Sequence, residues 1–272
     1  MLYYADDTKA WKRIKCLDDA DELQKDLCCL EEWTKIWKLR FNPSKCHVLH
    51  IGKANQRYLY HLDNYLLPVV TTEKDLGVQI RQDLKTEDNV AYQVKKANKM
   101  LGIIRRTFSY INEDSFNLLY KTYVRPHLEY GQQACHPYLS KDIDMVEKVQ
   151  RRATKLVQSI EHLSYEERMQ KLNLYSLEDR RLRADMIVVH KIVHGLIDVN
   201  MNKLFSFATN NVTRGHCYRL AVPKCNKTEI RKNFFSQRTV IPWNQLKEEI
   251  VSSLTTEEFK RKYDLHMLKS KV

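Results

Sequence analysis

The apolar positions near the amino terminus fall in short runs that suit strands. Residues 1–4 are apolar and aromatic, residues 8–13 alternate loosely around Ala10 and Trp11, and Ala5-Asp6-Asp7 lies between them. This pattern predicts a β-hairpin with two carboxylates at its tip. From Asp18 the period becomes helical: Ala20, Leu23, Leu27, Leu30, Trp33 and Trp37 recur at spacings of three and four and share one face. Asp18 or Asp19 is the expected cap, with Asp21 and Glu22 near the positive end of the helix dipole. Asn42-Pro43-Ser44 breaks the period. Residues 46–52, 58–62 and 76–80 then read as strands, with Asp63-Asn64 as a turn.

After Leu84 the helical period dominates. Val90, Val94, Ala97, Leu101 and Ile104 form one stripe, and Phe116, Leu119, Tyr120 and Tyr123 a second, which Pro126 is expected to end. Val146, Val149, Ala153 and Leu156 mark a third helix, and Leu182, Met186, Val189 and Val193 a fourth that closes near Gly195. Residues 198–240 are less regular and read as loops and short extended pieces, before a last amphipathic helix over 248–262.

Composition supports a mostly helical chain. Six glycines in 272 residues supply few positions for positive φ and hence few tight turns. Hydrophobic residues at 43% are too many for a disordered chain. No stretch approaches the roughly 20 apolar residues of a membrane helix, and Asp6 and Asp7 interrupt any secretory signal. The seven cysteines are odd in number and form no CxxC pair, which points to free, mostly buried thiols in a reducing compartment. Cys46-His47, Cys135-His136 and His216-Cys217 lack the spacing of a zinc site.

Charge divides the chain. Residues 1–85 hold 14 Lys and Arg against 13 Asp and Glu, so 32 basic against 21 acidic residues fall in 86–272. A basic excess confined to one part is the electrostatic footprint of a nucleic-acid binder. Residues 91–110 carry Lys95, Lys96, Lys99, Arg105 and Arg106 and no acid, and Lys148, Arg151, Arg152 and Lys155 lie off the apolar stripe of the third helix. A solvated helix face is the alternative reading of both sets.

Adjacent aspartates at a hairpin tip suit Mg²⁺, which takes one or two carboxylates and completes its octahedron with water and phosphate. Two such ions stabilise both the attacking and the leaving oxygen of a phosphoryl transfer. Asp-Asp is also common in turns and caps, so the wider sequence decides. Tyr4-Ala5-Asp6-Asp7-Thr8-Lys9, Phe41-Asn42-Pro43-Ser44-Lys45-Cys46, Lys74-Asp75-Leu76-Gly77-Val78, Val124-Arg125-Pro126-His127-Leu128-Glu129-Tyr130 and Val149-Gln150-Arg151-Arg152-Ala153-Thr154-Lys155 follow in order. Thr213-Arg214-Gly215-His216, Asn233-Phe234-Phe235-Ser236-Gln237-Arg238 and Trp243-Asn244 continue the series. Together they resemble the reverse transcriptases of non-LTR retrotransposons, the LINE elements, nearest to the jockey-like branch.

The resemblance implies an α+β, mostly α fold: a truncated palm over 1–84 (a small antiparallel sheet with a helix), a helical thumb over 85–160, and a mostly helical region over 161–272. Asp6 and Asp7 are then palm carboxylates of the catalytic Mg²⁺ site, with Asp6 the direct ligand. Tyr4 lies beside the primer end, or simply packs the hairpin. Lys45 assists the departing pyrophosphate, or is a solvated lysine at a strand entry. Residues 58–80 form the primer-grip hairpin. Lys95, Lys96, Lys99, Arg105, Arg106, Arg151, Arg152 and Lys155 meet phosphates of an RNA template and a DNA primer, contacts that carry no sequence information.

An enzyme of this family carries fingers and a further metal-binding aspartate ahead of the position of Tyr4. The expectation is therefore an intracellular RNA-directed DNA polymerase fragment, nuclear or cytoplasmic, that does not polymerise by itself. The other reading is a non-catalytic module that binds RNA or DNA through its basic helices. Where relatives place Trp before the proline equivalent to Pro137, this chain has His136.

Overall fold

The structure is a computed structural model that describes residues 2–4, 7–39, 41–208, 215–223 and 228–269. The chain forms two compact units, residues 1–85 and 86–272. Among the described residues it is α+β and mostly α, with only two-stranded sheets.

In the first unit, β1 (Leu2–Tyr4) pairs antiparallel with β2 (Asp7–Lys9), with Tyr4 opposite Asp7. The hairpin forms as expected, but Asp7 belongs to the second strand, and Asp6 lies outside the described residues. The helix α1 (Leu17–Trp37) begins at Cys16 and not at either aspartate. Asp19 instead reaches back to accept the backbone N–H groups of Lys15 and Cys16 at 2.7 and 3.2 Å, and these bonds hold its carboxyl below the usual range. Leu23 and Leu27 pack against Tyr60, Leu62 and Leu67. The far end of the same stripe does not bury: Trp33 and Trp37 are 48% and 64% exposed, their rings 6.2 Å apart.

The strands that follow are short. β3 (Val48–Leu49) pairs in parallel with β6 (Val69–Val70), against the antiparallel sheet expected. Between them, β4 (His61–Leu62) and β5 (Tyr65–Leu66) form a hairpin. Asp63 and Asn64 make its turn, both at positive φ (52° and 59°), the handedness that matches strand twist. β7 (Thr72–Asp75) and β8 (Val78–Arg81) form a second hairpin, turning at Leu76 and Gly77. The single hairpin expected over 58–80 is thus two. Lys9 of β2 forms an ion pair with Asp75 of β7.

The second unit is helical. α2 (Glu87–Thr107) buries Val90, Val94, Ala97 and Ile104. α3 (Glu113–Leu119) does not stop at Pro126. It runs into a π-helical turn over Tyr120–Val124 and then α4 (Arg125–Glu129), with the N–H of Arg125 bonding back to the carbonyl of Tyr120. The wider turn lies just ahead of Pro126, whose ring and missing N–H disrupt regular α-helical bonding. α5 (Ser140–Thr154), α6 (Tyr165–Lys171) and α7 (Leu177–Val193) follow. Ser164 and Glu167 form a reciprocal capping box at the start of α6.

Two apolar clusters organise this unit. One gathers Val90, Ala97, Phe116, Tyr120, Val149, Ile160 and Leu177, and the other Met186, Val189, Trp243, Val251 and Phe259. α7 contributes to both, since Leu177 sits in the first and Met186 in the second. Of residues 198–240, expected as loops and short extended pieces, Phe207 and Leu220 do pair as an antiparallel bridge, but from Glu229 the chain forms three short helices: α8 (Glu229–Lys232), α9 (Phe235–Arg238) and α10 (Val240–Asn244). The last helix divides into α11 (Glu248–Val251) and α12 (Thr256–Lys269). No described helix is long and apolar enough to cross a membrane. The described cysteines are free, but none is fully buried; Cys28 and Cys29 stand on the outer side of α1.

Candidate nucleic-acid interface

The basic residues of the second unit sit on two helices that run side by side in the same direction. At their starts, the hydroxyl of Thr86 donates to the buried Asp142 carboxylate at 3.3 Å, and Lys141 pairs with Glu87 at 2.6 Å. Beyond their ends, the Gln158 amide donates to the Ser109 carbonyl at 3.1 Å. With both ends tied, the carboxy-terminal turns carrying Arg105 and Arg106 on α2 and Arg151 and Arg152 on α5 fall at the same end of the pair. Cations there also complement the negative end of each helix dipole.

On α2, Lys95, Lys96, Lys99, Arg105 and Arg106 are all exposed and, among the described residues, form no ion pair. Lys95, Lys99 and Arg106 fall within about 40° of one another around the axis at 100° per residue. Lys96 and Arg105 flank this stripe on opposite sides. The ammonium of Lys96 lies 4.5 Å from the centre of the Tyr92 ring. Burial and the charge of Lys96 together hold the His127 imidazole below its usual pKa, so His127 adds little positive charge near neutrality.

On α5, Met145, Lys148, Arg151, Arg152 and Lys155 line one open groove of about 380 Å³. Arg151 stacks over the Tyr165 ring at 4.9 Å, and Arg152 donates to the Lys148 carbonyl at 3.2 Å. Behind the groove the helix is anchored by Gln150, which is fully buried. Its carbonyl oxygen accepts from the Tyr120 hydroxyl at 2.6 Å, and its amide donates to the Tyr175 carbonyl at 3.0 Å. The Gln-Arg-Arg sequence therefore divides its work, with Gln150 pointing inward and the two arginines outward.

The structure gathers Arg151, Arg152 and Lys155 in one groove and sets Lys95, Lys99 and Arg106 in one stripe. In the first unit, Asp7 and Lys45 are both exposed, and they form no ion pair with each other. Of Tyr4 only the backbone is described, and Asp6 lies outside the described residues. Among the described residues no three His, Cys, Asp or Glu side chains converge as a metal cage. Of the two carboxylates expected to hold Mg²⁺ only Asp7 is described, exposed on the second strand of the hairpin. Tyr92 and Tyr165 were not singled out in the sequence. The i,i+4 spacing of Tyr92 and Lys96 is the signal that marks the first; nothing local marks the second.

No protein-family model matches the chain, and no curated protein or solved structure matches it either.

Proposed function

We propose that this chain is part of a non-LTR retrotransposon reverse transcriptase and that its second unit holds the template–primer. The observation that carries the binding part is the pair of co-directed helices, α2 and α5, whose exposed faces are cationic and whose apolar faces are buried in one core. Such a surface suits a sequence-independent hold on phosphates, the contact a polymerase needs because it must travel along its substrate. The ordered motifs support the family assignment, with 1–84 as palm, 85–160 as thumb and 161–272 as the region that follows it.

In this reading Asp6 and Asp7 hold Mg²⁺ with the nucleotide's phosphates, and Lys45 serves the departing pyrophosphate. Metal would supply electrostatic stabilisation of the phosphoryl transfer. The binding assignment is tested by titrating a labelled RNA·DNA hybrid and raising the KCl concentration. Affinity falling by about 10³-fold or more between 50 and 200 mM is expected for six or more phosphate contacts. The metal assignment is tested by Mn²⁺ paramagnetic resonance, where replacing Asp6 and Asp7 by alanine removes the bound signal; an unchanged signal refutes it.

A further inference from the structure

Glycine is, after proline, the residue least suited to a helix interior. Gly102 nevertheless stands in the fifth turn of α2. Its backbone is ordinary helix and is not among the positive-φ positions of the chain. A β-carbon built there meets only the guanidinium tip of Arg106, at 3.7 Å, which is an ordinary contact with a mobile group. Among the described residues no other element comes within 4 Å of that β-carbon, so neither conformation nor packing there calls for glycine.

What surrounds Gly102 is charge. Lys95, Lys99, Gly102 and Arg106 follow at intervals of four, three and four residues, which sets all four within about 60° of the same line. The line is about 16 Å long from Lys95 to Arg106, at 1.5 Å per residue. No acid occurs between Asp88 and Glu113. The stripe is thus a run of cations with a half-buried glycine in its middle, covered only by the mobile tip of Arg106.

We propose that Gly102 is a window through which the sugar–phosphate backbone of a bound nucleic acid lies directly against α2, while Lys95, Lys99 and Arg106 hold its phosphates on either side. This rests on the nucleic-acid reading above and adds to it a contact that charge alone does not require. A side chain at 102 would lift the strand away from the helix, whereas glycine lets backbone meet backbone. A lipid surface is the less suitable partner. A membrane-lying helix turns its apolar face outward, and α2 has buried Val90, Val94, Ala97 and Ile104 in the core.

The test uses the full chain, a short labelled RNA·DNA hybrid and phosphatidylserine vesicles, with Gly102→Ala and the larger neutral Gly102→Gln. Because alanine suits a helix better and meets no obstacle, Gly102→Ala raises the melting temperature by about 2–4 °C. The same change weakens hybrid binding by about five-fold, and Gly102→Gln by more, with the salt dependence unchanged because no charge is lost. A hybrid affinity unmoved in both variants, with the wild type binding, overturns the window and leaves the wider reading intact. A wild-type chain without salt-dependent hybrid binding removes the reading itself. Vesicle binding stronger than hybrid binding, and lost in the same variants, overturns the assignment to nucleic acid.

Discussion

Arg238 grips the carboxylate of Asp185 with two hydrogen bonds, Nε to one oxygen at 2.9 Å and Nη2 to the other at 3.2 Å, across 53 residues of sequence. Asp185 is 2% exposed. The same guanidinium donates to the carbonyls of Asn233 and Gln132 at 2.8 and 3.1 Å, so one side chain ties α7, α9 and the segment after α4 together. This is a structural role for the arginine that ends the Asn233–Arg238 motif.

Removing one partner of a buried pair leaves the other charge uncompensated. Arg238→Ala is therefore expected to cost about 3–5 kcal/mol, measured by urea unfolding of the second unit. Replacing both by apolar residues, Asp185→Leu with Arg238→Met, should cost less, because neither member of the pair is then left without the other. A single variant no worse than the double contradicts the role assigned to the pair.

Gln150 sets a second stability prediction. Gln150→Leu strands the buried Tyr120 hydroxyl in the core, at about 1–3 kcal/mol. Thermal unfolding should show the loss, and Arg151→Gln, which changes only the outward face, should not.

Acid should destabilise the second unit. Burial holds the imidazoles of His136, His190 and His216 below their usual pKa, His136 down to about 3. His190 and His216 each bond through Nε2 to a backbone carbonyl, of Ser253 at 2.7 Å and Trp243 at 3.0 Å, leaving Nδ1 buried without an acceptor among the described residues. The folded chain therefore binds fewer protons than the unfolded chain below the ordinary histidine value. Stability is complete above about pH 6.5 and falls with pH, by about 1.4 kcal/mol per pH unit for each imidazole kept neutral. Urea midpoints measured from pH 7 to 5 should decline, and His136→Gln should shallow the slope; a flat profile contradicts the assignment.

How much of this was legible in the sequence depends on the distance over which each feature is fixed. The stripe of Val90, Val94, Ala97 and Ile104 announced α2 because one side of one helix carries the whole signal. The same periodicity misled at Trp33 and Trp37, since period tells which residues share a face and not whether anything covers it. Pro126 read as a stop because the π turn that accommodates it leaves no compositional mark. Helices of one turn, such as Phe235–Arg238, are too short to show a period at all. The parallel pairing of Val48 with Val69 and the bond between Asp185 and Arg238 join distant residues, and no local pattern encodes them. At the candidate interface, lysines and arginines without acidic neighbours were visible as exposed charge. Their common end, the ring of Tyr165 beneath Arg151, and the lack of a packing reason for Gly102 required the fold.

The most direct test of the account is the slope of log affinity against log salt for an RNA·DNA hybrid, compared between the wild type and the triple variant Lys95→Gln, Lys99→Gln, Arg106→Gln. A steep negative slope for the wild type, shallower by about 3 in the variant, is the predicted result, close to one unit for each phosphate contact removed. No binding at about 50 mM salt, or a variant whose slope matches the wild type, would contradict the claim that α2 carries the phosphate contacts.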